Sequence, residues 1–275
     1  MKCVLNLLLL SLVALTKQDD VKWLQLDQRR VSENVTEYTK LFQQSRIIGG
    51  TEAPKHSSPW QAALRINNKY LCGGSLVSKK FVLTAGHCTS IAEKVLVILG
   101  AHNLSEFESS QQRIWSASIT THPNYHKTFN DIGVVQLSTP ARLNSYVQVV
   151  PLANRRSGKF NYVAATLSGW GRTNDESKNI SQVLMRVNLI TMPNIICNIK
   201  YRKYKGVIKN TDICTSGYGI KGTCNGDSGS PLITRGIQIG IVSFGPTLCE
   251  TEMPSVFTRV SKFQTWIAQN TDVSF

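Results

Sequence analysis

Acidic residues are scarce in this 275-residue chain: 17 Asp and Glu stand against 31 Lys and Arg, a formal charge of +14. That balance excludes an acidic, solvating protein and favours anionic partners or acidic substrates. Charged residues make up only 17% and apolar ones 41%, which excludes a disordered chain and suffices for a sizeable core. Beyond residue 15 no apolar run is long enough to span a bilayer as a helix. No two cysteines have the C-x-x-C spacing of a zinc knot. No internal repeat is visible, and no stretch resembles a nucleic-acid-binding module. Histidine is rare as well, with five in the whole chain, so candidate general bases are few.

What is present begins with an address. MKCVLNLLLLSLVAL carries an early Lys2 and a Leu/Val run, followed by polar TKQDD. Residues 1–16 read as a secretory signal peptide, with an uncleaved membrane anchor as the alternative. No clean small-x-small pair marks the cleavage site. Secretion changes how the seven cysteines read. Cys3 leaves with the signal, and Cys72, Cys88, Cys197, Cys214, Cys224 and Cys249 remain. Three disulfides are expected, and spacing alone does not choose among the roughly fifteen pairings. Asn34, Asn103 and Asn179 open candidate glycosylation sequons. Residues 1–46 hold 7 basic and 5 acidic residues, leaving 24 and 12 in the remainder, or +12. The densest basic run, Lys200 to Lys209, reads first as a solvated loop and second as a contact for an anionic polysaccharide.

Residues 17–46 are polar, without Gly or further Cys, and end in QSRIIGG. Arg46 is a plausible cutting point for a trypsin-like protease. From Ile47 onward the texture changes to short apolar or alternating runs, among them WQAALRI, KYLCGGSLVS, KVLVILG, IQIGIVSFG and SVFTRV. Turn formers such as Asn67-Asn68, Pro123-Asn124 and Asn174-Asp175 separate them. Many short strands without intervening helices indicate an all-β barrel or sandwich. The exception is VSKFQTWIAQ, where Val260, Phe263, Trp266 and Ile267 share one face and predict a terminal helix.

Three motifs carry chemistry. Ser228 stands in NGDSGSP, and a serine hydroxyl needs a base to become a nucleophile. His87 in FVLTAGHC is a candidate base beside Cys88. Asp131 in NDIGVVQLS opens an apolar strand, where a lone carboxylate is costly unless it orients something. Each motif alone is a common turn or structural feature. Together, in the order His87, Asp131, Ser228 and after RIIGG, they are specific. The α/β-hydrolase elbow is excluded, because position 230 is Ser rather than Gly and the triad order differs.

From Ile47 to its end the chain resembles the chymotrypsin/trypsin-like serine proteases. The resemblance implies two six-stranded antiparallel Greek-key β-barrels, about 47–160 and 161–260, plus a C-terminal helix. It implies a signal at 1–16, a propeptide at 17–46 and a peptidase domain at 47–275. Ser228 would attack the scissile carbonyl, His87 would shuttle its proton and Asp131 would orient His87, as in the family's triad. Backbone N–H groups of Gly226 and Ser228 would form the oxyanion hole. Cleavage after Arg46 would free the amine of Ile47 to pair with Asp227. The implied disulfides are Cys72–Cys88, Cys197–Cys214 and Cys224–Cys249.

Gly222 would be the floor of the specificity pocket, Gly245 and Ser255 its walls, and Ser243 to Gly245, with Phe244, the strand that receives substrate backbone. A neutral, open slot predicts cleavage after large apolar residues, with small apolar residues as the alternative. Such a pocket would not cut after Arg46, so a separate trypsin-like activator is expected. The remaining expectations are protein or peptide substrates, protease inhibitors as partners, a secreted monomer, and no cofactor, metal, nucleic acid or membrane. Ala101 and Gln111 replace acids that calcium-binding members carry. Gly86, Gly133 and Ser230 also depart from the usual pattern. A non-catalytic homologue acting as a binding protein is the rival class, against which all three triad residues are present.

Overall fold

Nearly every run singled out above becomes a strand, and strand pairing brings distant runs together. The structure is a computed structural model that describes residues 48–203 and 207–275. The expected signal, the propeptide, Arg46, Ile47 and Asn34 lie outside the described residues. The first strands are β1 (Thr51–Glu52), β2 (Gln61–Ile66), β3 (Tyr70–Leu76) and β4 (Phe81–Thr84), then helix α1 (Gly86–Thr89). Next come β5 (Val95–Leu99), β6 (Gln112–Thr121) and β7 (Gly133–Leu137). The second half holds β8 (Ala164–Gly169), β9 (Met185–Met192), α2 (Asn194–Lys200), β10 (Asp212–Thr215), β11 (Pro231–Thr234), β12 (Ile237–Phe244) and β13 (Ser255–Arg259). A 3-10 turn, Val260–Lys262, and helix α3 (Gln264–Asn270) follow.

The first barrel closes in the order β2-β3-β4-β7-β6-β5, with β5 returning to pair with β2. The second closes as β8-β9-β10-β13-β12-β11, with β11 returning to β8 and β1 added outside β9. Every pairing is antiparallel. The two orders are the same with each strand number raised by six, a repeat of topology that leaves no trace in residue identity.

Local chemistry explains the joints. Asn67 and Asn68 take φ of 51° and 58°, the left-handed pair that a tight hairpin needs and that Asn tolerates. Asn67 Oδ1 also accepts from the N–H groups of Glu93 and Lys94, which ties this hairpin to the start of β5. Leu64, Leu76, Leu83, Leu99 and Ile132 fill the first barrel, and Leu167, Met185, Leu232 and Phe257 the second. Truncating Phe257 to Ala in such a core costs about 3–5 kcal/mol.

The sequence reading passed over β6, β8 and β10. Strand β6 is half-buried or exposed along its length and carries Ser, Thr and Arg, so it lacks the apolar run that marks a strand. In β8, Ala164, Ala165 and Gly169 are too small to signal. The predicted terminal helix is split in two, a 3-10 turn and α3; Val260, Phe263 and Ile267 are buried and Trp266 packs against the same first-barrel core.

Candidate active site

His87 and Asp131 emerge side by side because the strands that flank them pair. Strand β4 leads into α1, which carries His87, while Asp131 stands two residues before β7, and Thr84 pairs with Gly133 across the two strands. Asp131 is 2% exposed. Its Oδ1 accepts from His87 N at 2.7 Å, and its Oδ2 meets His87 Nδ1 at 2.9 Å. Ser243 Oγ donates to the same Oδ2 at 2.5 Å, and Thr258 Oγ1 donates to the Asp131 carbonyl at 2.6 Å. With a carboxylate on Nδ1, the His87 proton resides there and Nε2 is left as an acceptor.

Ser228 sits on the turn before β11, contributed by the other barrel. Gly73 of β3 donates to the Ser228 carbonyl at 2.7 Å, and Thr84, three residues before His87, donates its hydroxyl to the Gly73 carbonyl at 2.8 Å. One chain of hydrogen bonds therefore fixes the serine turn against the histidine segment. Gly226 has φ +100°, a conformation that side chains oppose, and a Cβ there would also lie 3.0 Å from Gly171 Cα and Ile180 Cγ2.

Asp227, between Gly226 and Ser228, is fully buried. Desolvation raises its pKa to about 7, against the lowering effect of backbone bonds from Cys224 and Gly171. Those bonds are Gly171 N to Oδ1 at 2.9 Å and Cys224 N to Oδ2 at 3.0 Å. Among the described residues no cation lies within ion-pair distance of it. Nearby, Ile48 is buried with the Cys224–Cys249 disulfide, and its carbonyl accepts from Gly222 N at 3.2 Å. The residues just after Ile47 thus reach the base of the pocket loop.

At the pocket, a Cβ on Gly222 would meet Ser255 Oγ at 2.8 Å and nothing else within 4 Å. Ser255 Oγ accepts from Thr223 N at 3.0 Å and lies 3.2 Å from Thr223 Oγ1. The floor is polar but uncharged. A Cβ on Gly245 would lie 3.3 Å from Thr223 Oγ1, so the Thr223 side chain narrows the space beside this wall. Lys221 is half-buried with its Cγ against Gly49. Beside Phe244 and Gly245 runs a cleft of about 580 Å³ walled by Tyr201 and Met253, with Lys200, Arg202 and Lys203 on its edge.

Two participants, Thr223 and Asp175, escaped sequence reading as parts of the site, and a third, Ser243, was given another role. Thr223 sits beside the expected floor. Ser243 was expected to offer its backbone; the β12–β13 register shifts between Val242 and Phe244, and the Ser243 hydroxyl reaches Asp131. Asp175 accepts from Cys249 N and Glu250 N at 2.7 and 2.9 Å, while Glu250 Oε2 accepts from Asp175 N at 2.9 Å. That clasp braces the loop at Cys249.

The three positions that depart from the family pattern, Gly86, Gly133 and Ser230, are closely packed. A Cβ on Gly133 would fall 2.2 Å from Thr89 Oγ1, one on Gly73 would fall 1.9 Å from Ser230 Oγ, and one on Gly86 would fall 3.0 Å from Ile132 N. Gly133 thus makes room for Thr89, and Gly73 for Ser230.

The loop after β5 is closed by nitrogen donors. Gln111 Nε2 donates to the carbonyls of Asn103 and Glu106 and to Glu108 Oε2, which also accepts from His102 N and Asn103 N. Desolvation pushes the Glu108 pKa up, but these bonds outweigh it and hold it below the ordinary value. Oxygens that a hard cation would collect are collected here by N–H groups. The structure joins Cys72–Cys88, Cys197–Cys214 and Cys224–Cys249. Asn179 is exposed, whereas Asn103 is half-buried and bonded to Ser105 through its Oδ1.

A family model described as Trypsin matches residues 47–267. Brachyurin of Leptuca pugilator is 42% identical over 231 residues, 83% of this chain and all of its own. Chymotrypsin of Phaedon cochleariae is 38% identical over 233 residues, 82% of each chain. A solved HL collagenase structure aligns with a TM-score of 0.75 and 31% identity, covering 83% of this chain and all of that one.

Proposed function

The chain belongs to the trypsin family of serine endopeptidases, and from that premise we propose that it is a secreted zymogen, activated by cleavage after Arg46, that cuts after apolar residues. Ser228 is the nucleophile. His87 Nε2 takes its proton and returns it to the leaving amine. Asp131 holds the imidazole in one tautomer and stabilises its charged form. The Gly226 and Ser228 N–H groups receive the developing oxyanion, each donor contributing about 10²–10³-fold in rate.

The observation that carries the catalytic reading is the Asp131 carboxylate, sealed from water yet supplied with donors from His87 N, His87 Nδ1 and Ser243. Activation rests on Asp227, a buried carboxylate without a described cation, beside the segment that begins at Ile48. The freed Ile47 amine supplies that cation and orders the oxyanion and pocket loops. Specificity rests on the uncharged pocket at Gly222 and Ser255, which holds no carboxylate to pair with a Lys or Arg side chain. Burial of an apolar side chain there contributes about 1.5–3 kcal/mol. A second reading, preference for smaller apolar residues, is favoured by the close approach of Thr223 to Gly245. Either preference requires a separate trypsin-like activator.

The test uses purified zymogen cut with trypsin, the trypsin then being blocked. Peptide amides ending in Phe, Leu, Ala and Arg are compared beside a Ser228→Ala control. Cleavage after Phe or Leu, absent from the control, supports the proposal. Dominant cleavage after Ala selects the second reading, and dominant cleavage after Arg refutes the neutral pocket.

A further inference from the structure

Away from the triad, a cleft of about 700 Å³ opens on the second barrel between the 155–161 segment, the start of α2 and the 3-10 turn after β13. Arg155, Lys159, Lys209, Arg259 and Lys262 line it, and no Asp or Glu does. None of the five lies within ion-pair distance of a described carboxylate. Lys159 and Lys262 are exposed; Lys209 is exposed as well, with its Nζ 5.2 Å from the centre of the Phe129 ring, a contact that leaves its charge unneutralised.

Arg259 is the built element of this cleft. It is only 7% exposed, and a buried cation is costly unless its hydrogens are satisfied. Its partners are neutral oxygens: Asp212 O at 3.0 Å, Lys159 O at 2.7 Å and Asn194 Oδ1 at 3.2 Å. Those partners hold the guanidinium in place without cancelling its charge. The nearby Asp212 carboxyl is buried and accepts from Lys209 N at 2.7 Å; desolvation raises its pKa to about 7 against the lowering charges of Arg259 and Lys209, so at neutral pH it offsets only part of the cleft's positive charge. Asn161 and Asn210 add amides to the lining.

We infer that this cleft is an exosite for a sulfated polysaccharide. Clustered, unneutralised Lys and Arg match a regular array of sulfates, and Asn side chains match sugar hydroxyls. No Phe, Tyr or Trp lines the cleft, which removes the stacking platforms that single-stranded nucleic acid uses. A concave polar cleft is also the wrong shape for a flat lipid surface. The site lies apart from Ser228 and His87, so the polymer tethers the enzyme while peptide cleavage continues.

The exosite inference rests on the chain being secreted, and its test does not depend on activity. Ser228→Ala protein is titrated with heparin, de-sulfated heparin, a single-stranded oligonucleotide of matched charge and anionic phospholipid vesicles. Heparin is expected to bind best and to elute from a column above about 0.15 M salt, the physiological ionic strength. Lys159→Glu with Lys262→Glu should weaken heparin binding about tenfold or more. The same pair placed in the active chain should leave peptide-amide hydrolysis unchanged, which checks its fold. Charge reversal at Lys200, Arg202 and Lys203 should weaken heparin less. Elution below 0.15 M salt, equal binding of the oligonucleotide or vesicles, or a larger loss from the Lys200–Lys203 variant would each overturn the inference.

Discussion

The two barrels share one strand order and do different work. The first carries His87 and Asp131 just beyond the ends of two paired strands over an apolar core, and its buried carboxylate is already provided with three donors. The second carries Ser228, the pocket and two of the three disulfides. It also buries Asp212, Asp227 and Arg259, and both acids raised to about 7 belong to it. One topology thus serves, in our reading, as a preformed carrier of the proposed base in one half. In the other half it carries charges whose state depends on pH and, in our reading, on a cut at Arg46. The lesson is that closure of the barrel sets where a residue stands, while the donors around it decide whether its charge is ready or conditional.

The largest expected effect falls on the conditional half. Asp227→Asn in trypsin-cut protein should lower kcat/KM on a peptide amide by about 10²–10³-fold, comparable to losing an oxyanion donor. Progress curves against the cut parent measure this, and unchanged activity would remove the conditional role. Next comes the bond that joins the halves. Ser243→Ala deletes one donor to Asp131 and should cost about tenfold in kcat with KM little changed, given roughly 1.5 kcal/mol for a bond to a charged group.

Smaller effects separate the halves by pH. For uncut protein, Asp227 ionises at 3.8 when unfolded and near 7 when folded. Its contribution to stability is therefore full below pH 3.8 and lost as pH rises toward 7. An inserted Ile47 amine removes that loss. The Tm gain on cutting should then be several degrees larger at pH 7.5 than at pH 5, by calorimetry. Gly133→Ala, in the first barrel, should lower Tm through overlap with Thr89 by about the same amount at both pH values. Thr89→Ala should restore part of it, since it removes the two closest atoms and leaves the Thr89 Cβ 2.9 Å away. A pH-dependent loss there would blur the distinction between the halves.

Much of this was legible in the chain. Most strands announced themselves through short apolar runs, and His87, Asp131 and Ser228 through the residues beside them. What stayed hidden depends on residues far apart in sequence. Ser243 meets Asp131 across 112 positions, and Asp175 clasps a loop 74 positions away. Strands β6 and β8 were silent because exposed Ser and Thr, or small Ala, carry no apolar signal. The approach of Thr223 to Gly245 could not be read either, since small residues specify room only when their neighbours are known.

The most direct measurement is mass spectrometry after treatment with an organophosphate that phosphorylates activated serines. Cut and uncut protein and the Asp227→Asn variant are treated in parallel. We predict one adduct, on Ser228, formed rapidly in cut protein and at least tenfold more slowly in the other two. No Ser228 adduct in cut protein, or equal labelling of cut and uncut protein, would contradict the account.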